Sequence, residues 1–196
     1  MCLEEATNTN EIKTRTWTQG VFGVNYWIMK FSRTLLALSA VVLAGFLPGQ
    51  AEAACTDPAR PEADWRRCYF DERDFSGADL SGARLRDARF IRAKLSGANL
   101  TGVDAHRAKF ISAVLDGIAF DKSRLTEVDF TKADLRNASF RGTDLRRARL
   151  NRADLRGADL TDAKLRGAHL LNANLSGATW IDGKTVCAEG SLGQCN

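Results

Sequence analysis

The sequence predicts an all-β solenoid: a four-sided parallel β-helix. Three observations predict it. A large apolar residue recurs every five positions from Phe70 to Trp180 without a phase slip. A small residue, usually Ala, stands two positions before most of them. Aromatic residues recur at a spacing of twenty, as in Phe70, Phe90, Phe110 and Phe130.

The five-residue period opens Phe70, Phe75, Leu80, Leu85, Phe90 and closes Leu165, Leu170, Leu175, Trp180, twenty-three positions of which only Ala105 is small. No α-helix has this period, since helical faces repeat near 3.6. In an extended segment, residues two apart point to the same side. Ala78 and Leu80 therefore point inward and Asp79 outward, and Ser81-Gly82 turns a corner. Gly recurs at that corner, as at Gly77, Gly97, Gly157 and Gly177, because a corner often needs a positive φ. Each pentad is one short side plus one turn, and four corners close a coil of twenty residues. Phe70, Phe90, Phe110 and Phe130 would then stack inside as one ladder, and Phe120 and Phe140 as a second. With coils ~4.8 Å apart, twenty-three pentads make nearly six coils and roughly 28 Å of tube. Arg73 and Ser123 are polar exceptions at the small inward position.

The segments before and after the repeat carry other signals. Residues 1–28 show no pattern, and the simplest account is that translation starts at Met29. Residues 29–53 read as a signal peptide: basic Met29-Lys30-Phe31-Ser32-Arg33, apolar Leu35 to Leu47, then Ala51-Glu52-Ala53 before cleavage. The apolar run is too short to span a membrane, which needs ~20 residues, so no stable span is expected after cleavage. Lipid attachment at Cys55 is disfavoured, because Glu52 stands where that motif wants an aliphatic residue. Residues 54–69 are expected to cap the solenoid, 70–182 to form it, and 183–196 to be a tail closed by a disulfide. After cleavage four of the five cysteines would remain, and four allow three pairings. Local pairing, Cys55 with Cys68 and Cys187 with Cys195, is the natural one in an exported chain. Zinc is the weaker reading, since neither pair has ligand-like spacing.

Runs such as Ala78-Asp79-Leu80-Ser81-Gly82, Ala98-Asn99-Leu100-Thr101-Gly102 and Ala153-Asp154-Leu155-Arg156-Gly157 resemble the motif of the pentapeptide-repeat family. The resemblance covers residues 70 to 180. It implies that the β-helix is right-handed and quadrilateral. It also implies a protein that is not an enzyme, since most members have no known activity. The tail from Trp180 to Cys187, with Cys195, resembles the end of many exported members.

The residues themselves point to no catalytic or metal site and to no cofactor. Carboxylates sit at outward repeat positions, and His106 and His169 belong to different pentads. Gly183-Lys184-Thr185 lacks the glycine spacing and the strand–loop–helix context of a phosphate loop. Asn99-Leu100-Thr101, Asn137-Ala138-Ser139 and Asn174-Leu175-Ser176 match glycosylation acceptors, a chance product of such a repeat.

Charge is more informative. The chain carries a formal net charge of +4. Sorted by the twenty-residue period, the faces through Leu85 and Phe90 are basic, and those through Leu95 and Leu80 mildly acidic. The expected contact surface is these two adjacent basic faces, with Arg89, Ile91, Arg92, Ile111, Arg149 and Arg152 on the Phe90 face, Ile91 and Ile111 stacked outward and Leu171 further along. The expected partner is an unknown protein or anionic polymer. Self-association, with a basic face meeting an acidic face, is the other outcome. A DNA mimic that protects gyrase, as some family members are, needs an acidic surface and a cytoplasmic address. A nucleic-acid partner is disfavoured by export and because no aromatic residue stands among the exposed basic positions. The expected location is the periplasm or the exterior, or a thylakoid lumen if the source is photosynthetic.

Overall fold

The computed structural model describes residues 55–196. The expected start at Met29, the signal peptide at 29–53 and cleavage after Ala53 lie outside the described residues. From Asp64 to Thr179 the backbone is a solenoid. Every fifth residue makes a parallel bridge to the residue twenty further on, from Asp64↔Arg84 to Asp159↔Thr179. The bridges stay isolated and do not lengthen into strands among the described residues. The straight segment between turns is too short to hold more than one bridging residue.

Nearly all the backbone N–H groups of a pentad can be accounted for, and the accounting explains the repeat. In the pentad Ser81 to Leu85, Gly82 and Leu85 donate to Thr101 and Asp104 in the following coil, both at 2.8 Å. Arg84 donates to Ala63 in the preceding coil at 2.9 Å. Ala83 closes its own turn on Leu80 at 3.0 Å. The fifth, Ser81, donates to the carboxylate of Asp79 at 3.0 Å. The outward Asp or Asn of the motif is therefore structural, an Asx turn that satisfies the leftover donor. Thr101 on Asn99, Thr131 on Asp129 and Thr161 on Asp159 repeat it.

The turn needs a positive φ at its third residue, as type II turns do. Such residues recur every five positions from Glu62 (φ 58) to Gly177 (φ 71). Many are not Gly: Arg92, Arg107, Lys132 and Arg152 hold φ between 57 and 60. That conformation costs an L-residue ~1 kcal/mol, and the bonds on either side of the turn override it. Gly157 has a further reason to be Gly: a Cβ there would lie 2.8 Å from Oδ1 of Asn137 in the coil before.

The interior is dry and laddered. Phe70, Phe90, Phe110 and Phe130 are buried. Their successive ring centroids are 5.3, 4.9 and 5.3 Å apart in stacked arrangement. Phe120 stacks on Phe140 at 5.5 Å and meets Phe110 edge-on at 5.9 Å. Offset stacking within a ladder and edge contacts between ladders are the two favoured aromatic geometries. Ser123 is buried but satisfied: its hydroxyl donates to Leu100 O at 2.8 Å and accepts from Val103 N–H at 3.1 Å. Thr143, also buried, donates to Phe120 O at 2.8 Å.

The repeat geometry begins earlier than Phe70. The segment expected as a separate cap, 54–69, already carries the turn at Glu62 and the bridge at Asp64. Trp65 takes the large inward position, buried 4.4 Å from the Phe70 ring, and Cys68 the small one. At the other end Leu165, Leu170 and Trp180 are only partly buried. The tail doubles back there, pairing antiparallel at Thr179↔Val186 and Asn174↔Leu192. The sulfurs of Cys55 and Cys68 are 1.96 Å apart, and those of Cys187 and Cys195 2.04 Å.

Candidate interaction surface

Outward side chains stack in columns twenty residues apart, so each has its nearest neighbours one coil away. On the Leu85 face the column from Arg66 to Arg166 is basic, but two columns alternate in sign. One reads Asp64, Arg84, Asp104, Arg124, Asp144, Lys164, and another Asp87, Arg107, Glu127, Arg147. Arg84 reaches Asp64 at 3.7 Å, Arg124 reaches Asp104 at 3.8 Å, Arg107 reaches Asp87 at 3.4 Å and Arg147 reaches Glu127 at 3.6 Å. Exposed pairs of this kind stabilise by ~0–1 kcal/mol each. Their larger effect is to avoid stacking like charges at the coil spacing. Three cations of this face, Arg67, Lys164 and Arg166, form no ion pair among the described residues.

The Phe90 face divides differently from the expectation. Asp71 belongs to it and offsets part of its charge. Arg89 is clamped on Asp71 through two hydrogen bonds, at 3.1 and 2.5 Å, with its guanidinium 4.9 Å from the Tyr69 ring centroid. Arg92 pairs with Glu72, and Arg149 with Asp129 at 3.6 Å. Three of the four arginines expected to face a partner are thus engaged within the chain. Among the described residues, Lys109, Lys132 and Arg152 form no ion pair and no side-chain hydrogen bond, and all three are exposed. The expectation that no aromatic stands among the basic positions is also corrected, since Tyr69 is 69% exposed beside Arg89. Ile91 and Ile111 are half-buried, and Thr131 and Asn151 separate them from exposed Leu171.

Where the two basic faces meet, Arg107, Lys109, Glu127, Arg149 and His169 line an open groove of about 620 Å³. Its charges are mixed and nothing converges on a point. His106 is held by Thr126, with Nδ1 2.7 Å from Oγ1. No group of His, Cys, Asp and Glu among the described residues is placed to hold a metal ion.

A second device acts within the pentad. An Asp before and an Arg after the large apolar residue form a bidentate clamp, as in Asp64–Arg66, Asp134–Arg136, Asp144–Arg146 and Asp154–Arg156. The side-chain hydrogen bond from each Arg holds its Asp below the usual carboxylate range. The Ser76 hydroxyl does so for Asp74, and the Ser81 N–H for Asp79. Asp182 is lowered to about 2, chiefly by the Thr185 hydroxyl. Because these carboxyls are more acidic folded than at their ordinary 3.8, their stabilisation is complete above that value. It is lost as pH falls through it toward the folded values. Thermal melts are therefore expected to be flat with respect to these groups from about pH 8 to 5 and to fall steadily below about pH 4. A melting temperature that rises on acidification below pH 4 would contradict the clamps.

The sequence profile of pentapeptide repeats matches in eight copies, over residues 61–87, 88–126, 123–162 and 153–179. The chain belongs to the pentapeptide-repeat family. Among solved structures, this pentapeptide-repeat protein is 34% identical to HetL, a member involved in heterocyst differentiation regulation in a Nostoc cyanobacterium. That match covers 63% of this chain and 68% of HetL, with a TM-score of 0.43. It is 28% identical to QnrB1, a plasmid-mediated fluoroquinolone resistance protein, over 62% of this chain and 70% of that one, with a TM-score of 0.40. A pentapeptide-repeat protein of the Arabidopsis thaliana thylakoid lumen is 24% identical over 62% of this chain and 83% of that one, with a TM-score of 0.27. No curated protein sequence matches.

Proposed function

We propose that this pentapeptide-repeat protein is a non-catalytic binding scaffold, exported from the cytoplasm and built as a right-handed quadrilateral solenoid of nearly six coils. Its contact surface for an anionic partner, a protein or a polymer, is the Phe90 face. The observation that carries this reading is the split among that face's cations. Arg89, Arg92 and Arg149 are engaged in internal pairs, whereas Lys109, Lys132 and Arg152 are exposed and unmatched among the described residues. Unmatched charge on a rigid surface attracts an opposite partner without first breaking an internal pair. Two cysteine pairs within bonding distance support an oxidising compartment. The net charge of +4 speaks against a DNA-mimicking surface.

The test is recovery of partners from the exported fraction, with the wild-type chain and with a Lys109→Glu, Lys132→Glu, Arg152→Glu variant. Loss of the recovered partner in the variant is expected, with the wild-type chain monomeric at every salt concentration. A mass above monomer that falls as salt is added would instead assign the surface to self-association.

A further inference from the structure

Every coil but the last passes its backbone donors on to the next. Leu145 donates to Lys164 O at 3.1 Å, Arg147 to Arg166 O at 3.1 Å and Leu150 to His169 O at 2.8 Å. One coil later the equivalent N–H groups, those of Leu165, Gly167 and Leu170, make no hydrogen bond among the described residues. The carbonyls follow the same pattern. Those of Thr143 and Ala148 accept from Lys164 and His169 in the next coil, both at 2.9 Å. Their counterparts twenty residues on, Ala163 and Ala168, accept none among the described residues.

The other half of the same coil is covered. Leu175 donates to Ser191 O at 2.8 Å, Gly177 to Cys187 O at 2.8 Å and Trp180 to Thr185 O at 2.7 Å. The tail that supplies these carbonyls runs antiparallel to the coil. Gly193 marks where its cover stops: it donates to Ala173 O at 2.8 Å, and a Cβ there would lie 3.3 Å from Leu170 O. Half of the terminal edge is thus closed by an added strand, and half is open.

We infer that this open edge, residues 163–172, is a docking site for an extended acidic segment of another polypeptide, added antiparallel as the tail is. Three features define the occupant. The free N–H and C=O groups call for an extended backbone, the mode of β-strand addition. Leu165 and Leu170 are half-buried where Leu145 and Leu150 are fully buried, and Leu171 is 70% exposed, so alternate side chains should be apolar. Lys164 and Arg166 are exposed beside the edge and form no ion pair among the described residues, so the intervening side chains should be acidic. The same two cations oppose a second copy, because tail-to-tail pairing would bring four of them together. Charged residues on an edge commonly prevent such self-pairing, and here they also select the sign of a foreign strand. The site is separate from Lys109, Lys132 and Arg152, and either can fail without the other.

Amide hydrogen exchange on the full chain tests it, read residue by residue by NMR. The probes are a short peptide of alternating Glu and Val and its Lys–Val counterpart, each at millimolar concentration. In the free chain, the Leu165, Gly167 and Leu170 amides should exchange at least about a hundredfold faster than those of Leu145, Arg147 and Leu150. The Glu–Val peptide should slow those three about tenfold or more and the Lys–Val peptide should leave them unchanged. A Lys164→Glu, Arg166→Glu variant should exchange that preference. Slow exchange at these amides in the free chain would mean that another segment or a second copy already covers the edge, and would overturn the inference. Unchanged exchange with the Glu–Val peptide, or an unaltered preference in the variant, would overturn it too.

Discussion

Replacing Phe110 with Asp is expected to leave no cooperatively folded solenoid. The ring is buried between Phe90 and Phe130, at 4.9 and 5.3 Å, with Phe120 against its edge. Removing such a ring alone costs ~3–5 kcal/mol, much of the stability of an ordinary domain. Asp adds an unpaired charge in a dry interior with no partner in reach. Each coil contacts only its neighbours, so a defect in a middle coil also uncouples the coils on either side. Circular dichroism and urea unfolding would show the loss, with Phe110→Leu as the conservative control expected to remain folded. A Phe110→Asp protein that unfolds cooperatively and within about 1 kcal/mol of the original would mean that the ring is not in the core.

Removing the tail after Ile181 has the second largest expected effect. The tail accepts from Leu175, Gly177 and Trp180 and covers Leu175 and Ala178. Without it three more backbone donors are exposed and the whole terminal edge is open. Solenoids need capped ends for solubility, and an uncapped edge is a template for pairing. The shortened chain is expected to lose about 3 kcal/mol or more, by roughly one per hydrogen bond, and to aggregate on heating. Unchanged melting, with a monomeric mass in light scattering, would show that the tail is ornamental.

How much of this could be read beforehand follows from what sets each feature. The coil length and the Phe70–Phe130 ladder were legible because period and inward size are properties of single positions. Trp65 was equally legible, since Ala63-Asp64-Trp65 keeps both the pattern and the phase of the repeat, and only Cys68, standing where Ala is usual, masks the earlier start. The alternating column from Asp64 to Lys164 was also legible, once residues twenty apart are compared for charge rather than summed over a face. The engagement of Arg89 and Arg92 was harder to see: their partners Asp71 and Glu72 lie one coil back, in the coil where the repeat is least regular. The half-open edge could not be read from the periodicity, because the tail follows no repeat and its path decides which donors it covers.

The proposed contact surface depends on position on the Phe90 face and not on net charge. Two variants of equal charge separate these. One reverses Lys109, Lys132 and Arg152. The other reverses Lys94, Lys122 and Lys184, which are also exposed and form no ion pair among the described residues but lie off that face. Partner recovery from the exported fraction is expected to be lost in the first and kept in the second. Equal loss in both, or recovery kept in both, would contradict the account.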